Sequence, residues 1–259
     1  MRRNRFDHIA LAVRRRADAP AFLVGELGGA PAHGGPSGAY TFAQWRFKDG
    51  GRLEVLEPRG ADGFLHRFLA QRGPGIHHVT FIVPSLRGVC ERAEAAGHAI
   101  VGYDDSNPAW REAFLHPKRA LGIVVQLAEI VETRPRSDGE RRSRWVVPPG
   151  PPNPPPVTVL GLRMRARSRE RAETQWVRVL GGDVSEGAGG VVIYRWPGSP
   201  MRIGVEVDPT RDEGPVAIEL ASARGIALPA GPYPCWARSS RRADGLRVSS
   251  IHPPASASQ

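Results

Sequence analysis

The sequence is poor in cysteine and in aromatic residues and has no long apolar run. Its two cysteines, Cys90 and Cys235, cannot build a disulfide framework, so we expect a reduced, cytoplasmic protein. No apolar run approaches the roughly 20 residues that span a membrane. Asp7 and His8 interrupt any signal-like stretch after the basic N-terminus, which argues against secretion.

The charge distribution argues against a nucleic-acid partner. The net charge of +10 would favour anionic partners, but the arginines are scattered and no interleaved aromatic–basic motif is present. Hydrophobic residues at 41% and charged residues at 24% are ordinary for a globular protein. We therefore expect a small-molecule ligand, with no nucleic acid and no membrane as partner, and leave a homodimer open.

The first 130 residues contain two units with the same order of predicted elements. Strands near 6–13 and 77–83 are each followed by a helix that ends on glycine and then by further strands. Ser85 and Ser168 are predicted helix caps, and Asp49-Gly50 is a predicted hairpin turn. A third, degenerate copy is predicted over about 157–208. In this segment, as in the first unit, 20 positions separate a residue of the first strand from the glycine pair that follows the helix. The predicted fold class is α+β, with two paired βαβββ modules and a third degenerate module.

Composition gives the predicted domain boundaries. Residues 1–133 form the paired domain, and 134–156 form a linker with seven prolines among its last nine residues. Residues 157–236 are predicted to form the third module, and residues 237–259 are predicted to be a disordered tail.

Four polar residues stand at matching points of the two paired units. His8 precedes Glu54 by 46 positions, and His78 precedes Gln126 by 48. Glu54 and Gln126 interrupt apolar strands, where an unpartnered carboxylate or amide is costly. Imidazole, carboxylate and amide oxygen together suit one divalent ion, namely Zn, Co, Ni, Mn or Fe. With one carboxylate the site keeps a net positive charge and would stabilise an enolate or carboxylate oxygen.

Five segments carry a resemblance to a known family, namely Asp7–Ala10, Leu53–Pro58, Gly75–Val79, Phe114–Lys118 and Gly122–Leu127. They resemble methylmalonyl-CoA epimerase, a member of the vicinal oxygen chelate superfamily, which also contains glyoxalase I, bleomycin resistance proteins and extradiol dioxygenases. The resemblance covers about residues 5–130. It implies that the paired modules form a cupped, glyoxalase-like barrel around one divalent ion.

The resemblance also implies roles for individual residues. His77 is expected to point away from the site, because neighbours in a strand alternate between faces. The implied substrate-binding residues are Gln44, His116 and Lys118, and the implied metal ligands are His8, Glu54, His78 and Gln126.

Two departures from the epimerase pattern bear on the reaction. The family has a proton-transferring glutamate where Gln126 stands, and an amide cannot accept a proton near neutral pH. Its other base comes from the region of residues 36–38, where this chain offers no carboxylate. The catalytic residues are therefore unassigned, we predict little epimerase activity, and Glu112 and Asp104 are the alternative bases.

The third module is predicted to lack the metal site. Gly161 is aligned with the histidine position, and Glu206 lies near the other ligand position. We interpret this module as structural, or as a lid or dimer surface.

Three functions remain open at this point. The first is a metal-dependent epimerase, isomerase or lyase acting on an enolate-forming substrate, which includes acyl-CoA compounds. The second is an Fe(II) ring-cleaving dioxygenase, and the third is a non-catalytic binding protein of the same fold. Metal content separates them, since iron favours the oxygenase, Zn, Co, Mn or Ni the isomerase, and no metal the binding protein.

Overall fold

The computed structural model describes residues 3–107, 109–130, 157–223, 226, 239–241 and 247–251. The predicted linker 134–156 therefore lies outside the described residues. The chain forms two compact units, the first from residues 1–8, 78–135 and 161–216, the second from 9–77, 136–160 and 217–259. In the described part, every helix is too short or too polar to cross a membrane.

Strand, helix and three strands follow one another three times along the chain. The helices are Arg16–Asp18 (3-10), Ala21–Glu26 (π), Phe64–Arg72, Leu86–Ala95, Arg169–Glu173, Thr174–Val179 (π) and Ala188–Gly190 (3-10). The strands are β1 Arg5–Ala12, β2 Ala30–Ser37, β3 Tyr40–Arg46, β4 Arg52–Pro58, β5 Gly75–Ile82, β6 Ile100–Asp104, β7 Arg111–Leu115, β8 Val124–Glu129, β9 Thr158–Ala166, β10 Asp183–Glu186, β11 Val192–Arg195, β12 Arg202–Val207, β13 Gly214–Ser222, β14 Ser239–Arg241 and β15 Arg247–Ile251. The α+β fold class with glyoxalase-like βαβββ modules is confirmed.

The second unit contains most of the first module. Its strands follow the order β2-β3-β4-β1, and the predicted Asp49-Gly50 turn joins β3 to β4. The helix Phe64–Arg72 contributes Leu65 and Leu69 to a buried cluster with Ala10, Ala12 and Leu56, beside Tyr40, Phe42 and Phe68. This helix was not predicted from the sequence, because Gly63 at its N-terminus offers no capping side chain.

The strand β2 was also missed. It lies at the end of its sheet order and pairs only with β3, among the strands described. Its sequence, Ala-Pro-Ala-His-Gly-Gly-Pro-Ser, lacks apolar alternation, so backbone pairing rather than side-chain pattern makes it a strand.

The first unit contains the second module and nearly all of the third. Ser85 accepts a hydrogen bond from the Gly88 N–H at 3.2 Å, and Ser168 accepts one from the Arg171 N–H at 3.3 Å. Both predicted helix caps are therefore confirmed. A buried aromatic cluster, in which neighbouring ring centroids lie 4.7 to 6.1 Å apart, forms the core of this unit; its members are Phe6, Phe81, Trp176 and Trp196.

The predicted disordered tail requires a correction. Within 237–259, residues 239–241 and 247–251 form β14 and β15, which pair with each other, and β15 pairs with β13. Pairing with β13 satisfies backbone groups that a short polar segment would otherwise leave to water. The rest of the tail lies outside the described residues.

The three modules share one strand register. In each, the first strand pairs in parallel with the fourth, β1 with β4, β5 with β8 and β9 with β12. The residues opposite each other are Ala10 and Glu54, Thr80 and Gln126, and Arg165 and Glu206. His8 and His78 stand two positions before Ala10 and Thr80, respectively.

In the third module, Gly161 lies opposite Arg202, the first residue of β12, as His78 lies opposite Val124, the first residue of β8. Gly161 therefore has the backbone position of His78. Gly161 has a φ of +141°, and a Cβ there would clash with the backbone oxygen of Arg202. It is a glycine because β9 and β12 approach closely at this point.

Candidate metal centre

The His8 side chain is buried and held at its Nδ1 atom. Nδ1 lies 2.9 Å from Oδ2 of Asp7, and the other Asp7 oxygen accepts a hydrogen bond from the Arg5 guanidinium at 2.6 Å. A carboxylate can only accept, so Nδ1 carries the proton. Nε2 is therefore the ring nitrogen left to bind a metal, the tautomer that a carboxylate–histidine pair selects.

Thr80 links His8 to Gln126. Its hydroxyl oxygen lies 2.9 Å from Nε2 of His8, and the hydroxyl donates to Oε1 of Gln126 at 2.6 Å. With the His8 proton on Nδ1, Nε2 of His8 and Oε1 of Gln126 are both acceptors, and the single proton of the Thr80 hydroxyl can be donated to only one of them at a time. A metal ion bound at Nε2 would replace this contact with Thr80.

Glu112 fixes the orientation of the Gln126 amide. Nε2 of Gln126 donates to Oε2 of Glu112 at 2.8 Å, and Nε1 of Trp110 donates to the same oxygen at 2.8 Å. Since the carboxylate only accepts, the amide nitrogen must face Glu112 and the carbonyl oxygen must face Thr80. Gln126 thus presents an oxygen, the ligand atom of an amide, toward the His8 side.

His78 lies beside His8 in the first unit. The ring centroids are 5.9 Å apart with an interplanar angle of 67°. Both side chains are buried. Two imidazoles this close, out of water, are suited to share one metal ion.

Glu54 is a buried carboxylate of the second unit. It is 6% exposed, and Oε2 accepts a hydrogen bond from Nε2 of Gln44 at 2.7 Å. His77 packs against the rings of Phe64 and Phe68 at centroid distances of 5.5 and 4.9 Å. Burial lowers the pKa of His77 to about 4, and the negative charge of Glu54 opposes this only in part. His77 is therefore neutral at neutral pH.

Three of the four predicted ligands present ligand atoms close together. One such atom each from His8, Glu54 and His78 lies within 4.8 Å of the other two. Gln126 contacts His8 through Thr80. Two neutral imidazoles and one carboxylate form a donor set that suits a divalent transition ion.

The predicted substrate-binding residues lie in two places. Gln44 is hydrogen-bonded to Glu54. His116 follows β7, and its Nδ1 accepts a hydrogen bond from the backbone N–H of Lys118, whose side chain is exposed. In the part of the chain that the structure describes, neither His116 nor Lys118 hydrogen-bonds to the ligand group.

Asp7 and Thr80 were missed as site residues, and Glu112 was considered only as a base. Asp7 is next to His8, where strand alternation argues against contact, so no sequence signal favoured it. Thr80 has a signal in retrospect, because it lies opposite Gln126 in the register. Of the alternative bases, Asp104 is exposed and hydrogen bonds from Ser106 lower its pKa.

Comparisons with known proteins agree with this architecture. A family model described as Glyoxalase/Bleomycin resistance protein/Dioxygenase superfamily matches residues 7–114. The uncharacterized protein YqjC of Bacillus subtilis (strain 168) is 33% identical over 132 residues, which cover 49% of this chain and 92% of that relative. Two solved structures are also matched. A hypothetical protein from Bacillus halodurans C-125 is 25% identical with a TM-score of 0.47 and matches over 52% of this chain and 100% of its own. Methylmalonyl-CoA epimerase from Mycobacterium tuberculosis is 24% identical with a TM-score of 0.45 and matches over 49% and 87%, respectively.

The family match, the relative that is matched over nearly its whole length and the repeated βαβββ modules all agree. The chain belongs to the glyoxalase/bleomycin resistance protein/dioxygenase superfamily.

Proposed function

We propose that this protein is a metal-dependent enzyme of the epimerase, isomerase or lyase type. His8, Glu54 and His78 would hold one divalent ion, and Gln126 would join them through its amide oxygen. The observation that carries the proposal is the proximity of the three ligand atoms, all within 4.8 Å of one another. A bound divalent ion supplies the positive charge that stabilises an enolate or another oxyanion of the substrate.

The surroundings of His8 support the donor assignment. Asp7 holds the proton on Nδ1, and Arg5 holds Asp7, so the ring cannot easily rotate its Nε2 away. Gln44 in the same way restrains Glu54. Both proposed ligands are therefore fixed before any ion binds, which lowers the entropy lost on binding.

The Gln126 amide limits the reaction. It cannot take a proton from carbon, so the residue contributes ligation or orientation and no general-base step. Its hydrogen bond to Glu112 leaves that carboxylate engaged by two donors. The substrates we propose are small molecules that form an oxyanion, and acyl-CoA thioesters are included on the strength of the epimerase resemblance.

A second candidate is an Fe(II) oxygenase. Two histidines and one carboxylate, the set formed by His8, His78 and Glu54, are the ligands typical of non-heme Fe(II) oxygenases. Oxygen consumption by the iron-loaded protein in the presence of catechol distinguishes this candidate from the first.

Oxalate, a stable oxyanion, tests the proposed function. Protein freed of metal with EDTA is compared by isothermal titration with the same protein reloaded with Co(II) or Zn(II). We expect saturable oxalate binding to the loaded protein only, and its loss in His78→Ala but not in the matched control His66→Ala, whose histidine is partly exposed and bonded to the backbone oxygen of Gly60. Equal binding to the loaded and stripped proteins would contradict the proposal.

A further inference from the structure

The strand β7 places a second carboxylate, that of Glu112, beside the proposed metal centre. We propose that Glu112 binds an N–H or O–H donor of the substrate, so that the site prefers oxyanions that also carry an amino or hydroxyl group. The inference rests on the proposed function, because it assigns what Glu112 contacts when an oxygen of the substrate binds the ion. All the residues that carry it belong to the first unit.

The strand register determines which way the Glu112 side chain points. Gln126 on β8 lies opposite Thr80 on β5 and opposite Phe114 on β7. Directly opposed residues of paired strands point to the same side of a sheet, and so do residues two apart on one strand. Glu112 precedes Phe114 by two positions. Its side chain therefore lies on the face that carries Thr80 and Gln126.

One oxygen of the Glu112 carboxylate is held by two donors. Oε2 accepts hydrogen bonds from Nε2 of Gln126 and from Nε1 of Trp110, both at 2.8 Å. These two bonds restrain the carboxylate, and with it the position of its other oxygen. A group that is held in place before a ligand arrives loses little conformational entropy when the ligand binds.

The other oxygen of Glu112, Oε1, is available to a ligand. Among the residues that the structure describes, none hydrogen-bonds to this oxygen, and the side chain is partly exposed. An ionised carboxylate has acceptors only, so Oε1 can bind an N–H or O–H group and repels another carboxylate.

The charged groups near Glu112 leave this part of the face negative. Arg111 is the next residue on β7, so it points to the opposite face, where it lies 3.4 Å from Oε1 of Glu129. On β6, Asp104 stands opposite Glu112 and adds a second, exposed carboxylate. Lys118 lies beyond the other end of β7. This surrounding charge favours an ammonium or a neutral donor over an anionic group.

The Gln126 amide relates the position of Glu112 to that of the ion. Its oxygen accepts from Thr80, on the side of His8, and its nitrogen donates to Glu112. A substrate whose oxyanion binds the ion beside Gln126 would therefore reach Glu112 with a donor only a few bonds away. Carboxylates with an amino or hydroxyl group at the end of a short carbon chain, such as 4-aminobutyrate and 4-hydroxybutyrate, have this form.

The test is isothermal titration of the Co(II)-loaded full chain with four carboxylates of similar length. They are 4-aminobutyrate, 4-hydroxybutyrate, butyrate and levulinate, and levulinate carries a carbonyl acceptor in place of the donor. We expect 4-aminobutyrate to bind roughly tenfold more tightly than butyrate, because it adds a charge-assisted hydrogen bond, and 4-hydroxybutyrate to lie between them. The visible absorption of Co(II) shows whether each carboxylate reaches the ion.

The variant Glu112→Gln separates substrate binding from support of Gln126. Glutamine keeps an acceptor for Trp110 and Gln126, but it presents an N–H donor in place of the second carboxylate oxygen. The preference should therefore reverse, with levulinate binding more tightly than 4-aminobutyrate, whereas loss of support alone would change all four affinities equally. Glu91→Gln, at an exposed glutamate of the same unit, is the matched control and should keep the original order.

Two results would overturn the proposal. The first is equal binding of butyrate and 4-aminobutyrate to the unchanged protein, and the second is the original order of affinities in Glu112→Gln that circular dichroism shows to be folded. Oxalate distinguishes this failure from failure of the proposed function. If oxalate binds the loaded protein but the four carboxylates show no preference, only the role of Glu112 is wrong. If oxalate does not bind, the proposed function fails and this inference fails with it.

Discussion

The first two modules and the third differ in chemistry at equivalent backbone positions. In the first two, a histidine stands two places before the residue that lies opposite Glu54 or Gln126. In the third, Gly161 lies opposite the first residue of the fourth strand, as His78 does in the second, and Gly204 stands two residues further along that strand. The backbone is repeated, but in the third module these two positions have no side chain that could bind a metal.

The first two modules also differ from each other. In the first, the carboxylate of Glu54 stands at the fourth-strand position and the amide of Gln44 restrains it. In the second, the amide of Gln126 stands there and the carboxylate of Glu112 restrains it. The carboxylate and the amide exchange roles between the fourth-strand residue and the residue that restrains it, so position 126 of the second module offers an oxygen but no carboxylate base.

The largest predicted effect is on the rate of proton exchange when the amide at position 126 is replaced by a carboxylate. Gln126→Glu restores a carboxylate, and a general base typically contributes roughly 10²–10⁴ in rate. We expect slow solvent deuterium exchange into the α-position of methylmalonyl-CoA by the metal-loaded protein, and faster exchange by the variant. Rapid exchange by the unchanged protein would mean that another base, such as Glu112, acts.

The next prediction compares two glutamates on the fourth strands of their modules, Glu54 on β4 and Glu206 on β12. Glu54→Gln should lower Zn(II) affinity by more than the roughly 10–100-fold that loss of an outer partner costs, because a charged ligand is removed. Glu206→Gln should leave Zn(II) affinity unchanged, since the third module has no histidine at its matching position. Competition with a chelator of known affinity measures both. Equal losses in the two variants would show that the modules do not differ in metal binding.

A smaller effect on Zn(II) affinity is predicted for Asp7, whose carboxylate is hydrogen-bonded to His8. Asp7→Asn keeps the shape but weakens control of the imidazole tautomer, so Zn(II) affinity should fall by roughly 10–100-fold. The same chelator competition measures it, and Asp105→Asn, an exposed aspartate, is the matched control. Unchanged affinity in Asp7→Asn would mean that the His8–Asp7 hydrogen bond does not support metal binding.

The smallest predicted effect concerns acid stability in the first unit. Burial, together with the charge of Arg171, lowers the pKa of His98 in spite of an opposing backbone hydrogen bond near Arg119. The unfolded chain therefore binds a proton at this residue more readily than the folded one. Stability is present in full above the ordinary histidine pKa of about 6.5 and is lost as pH falls below it.

The variant His98→Leu tests the predicted direction of this change in stability with pH. Denaturant unfolding at pH 7 and pH 5 should show a smaller loss of unfolding free energy on acidification than in the unchanged protein. His66→Leu, at an exposed helix position, should keep the original loss. An equal loss of unfolding free energy in His98→Leu would show that His98 does not contribute to the acid sensitivity.

Sequence patterns predicted the fold where side chains determine it. The modules were predicted from three features, namely the apolar strands, the helix caps Ser85 and Ser168, and the histidine spacing. β2 and the helix Phe64–Arg72 could not be predicted, because pairing and tertiary packing, not local pattern, form them. The β15 strand was missed for the same reason.

The sequence singles out the proposed ligands more readily than the groups around them. His8, Glu54 and His78 are conspicuous as polar residues in apolar strands. Asp7 and Glu112 act through hydrogen bonds whose geometry depends on side-chain conformation, which spacing does not reveal.

The most direct test of the account is the number of divalent ions bound per chain. EDTA-treated protein is dialysed against excess Zn(II), then against buffer, and its metal is measured by elemental analysis. We predict one ion per chain in the unchanged protein and almost none in folded His78→Ala, with His66→Ala as the control that keeps it. Retention of the ion by His78→Ala, or no retained ion in the unchanged protein, would contradict a metal centre at His8, Glu54 and His78.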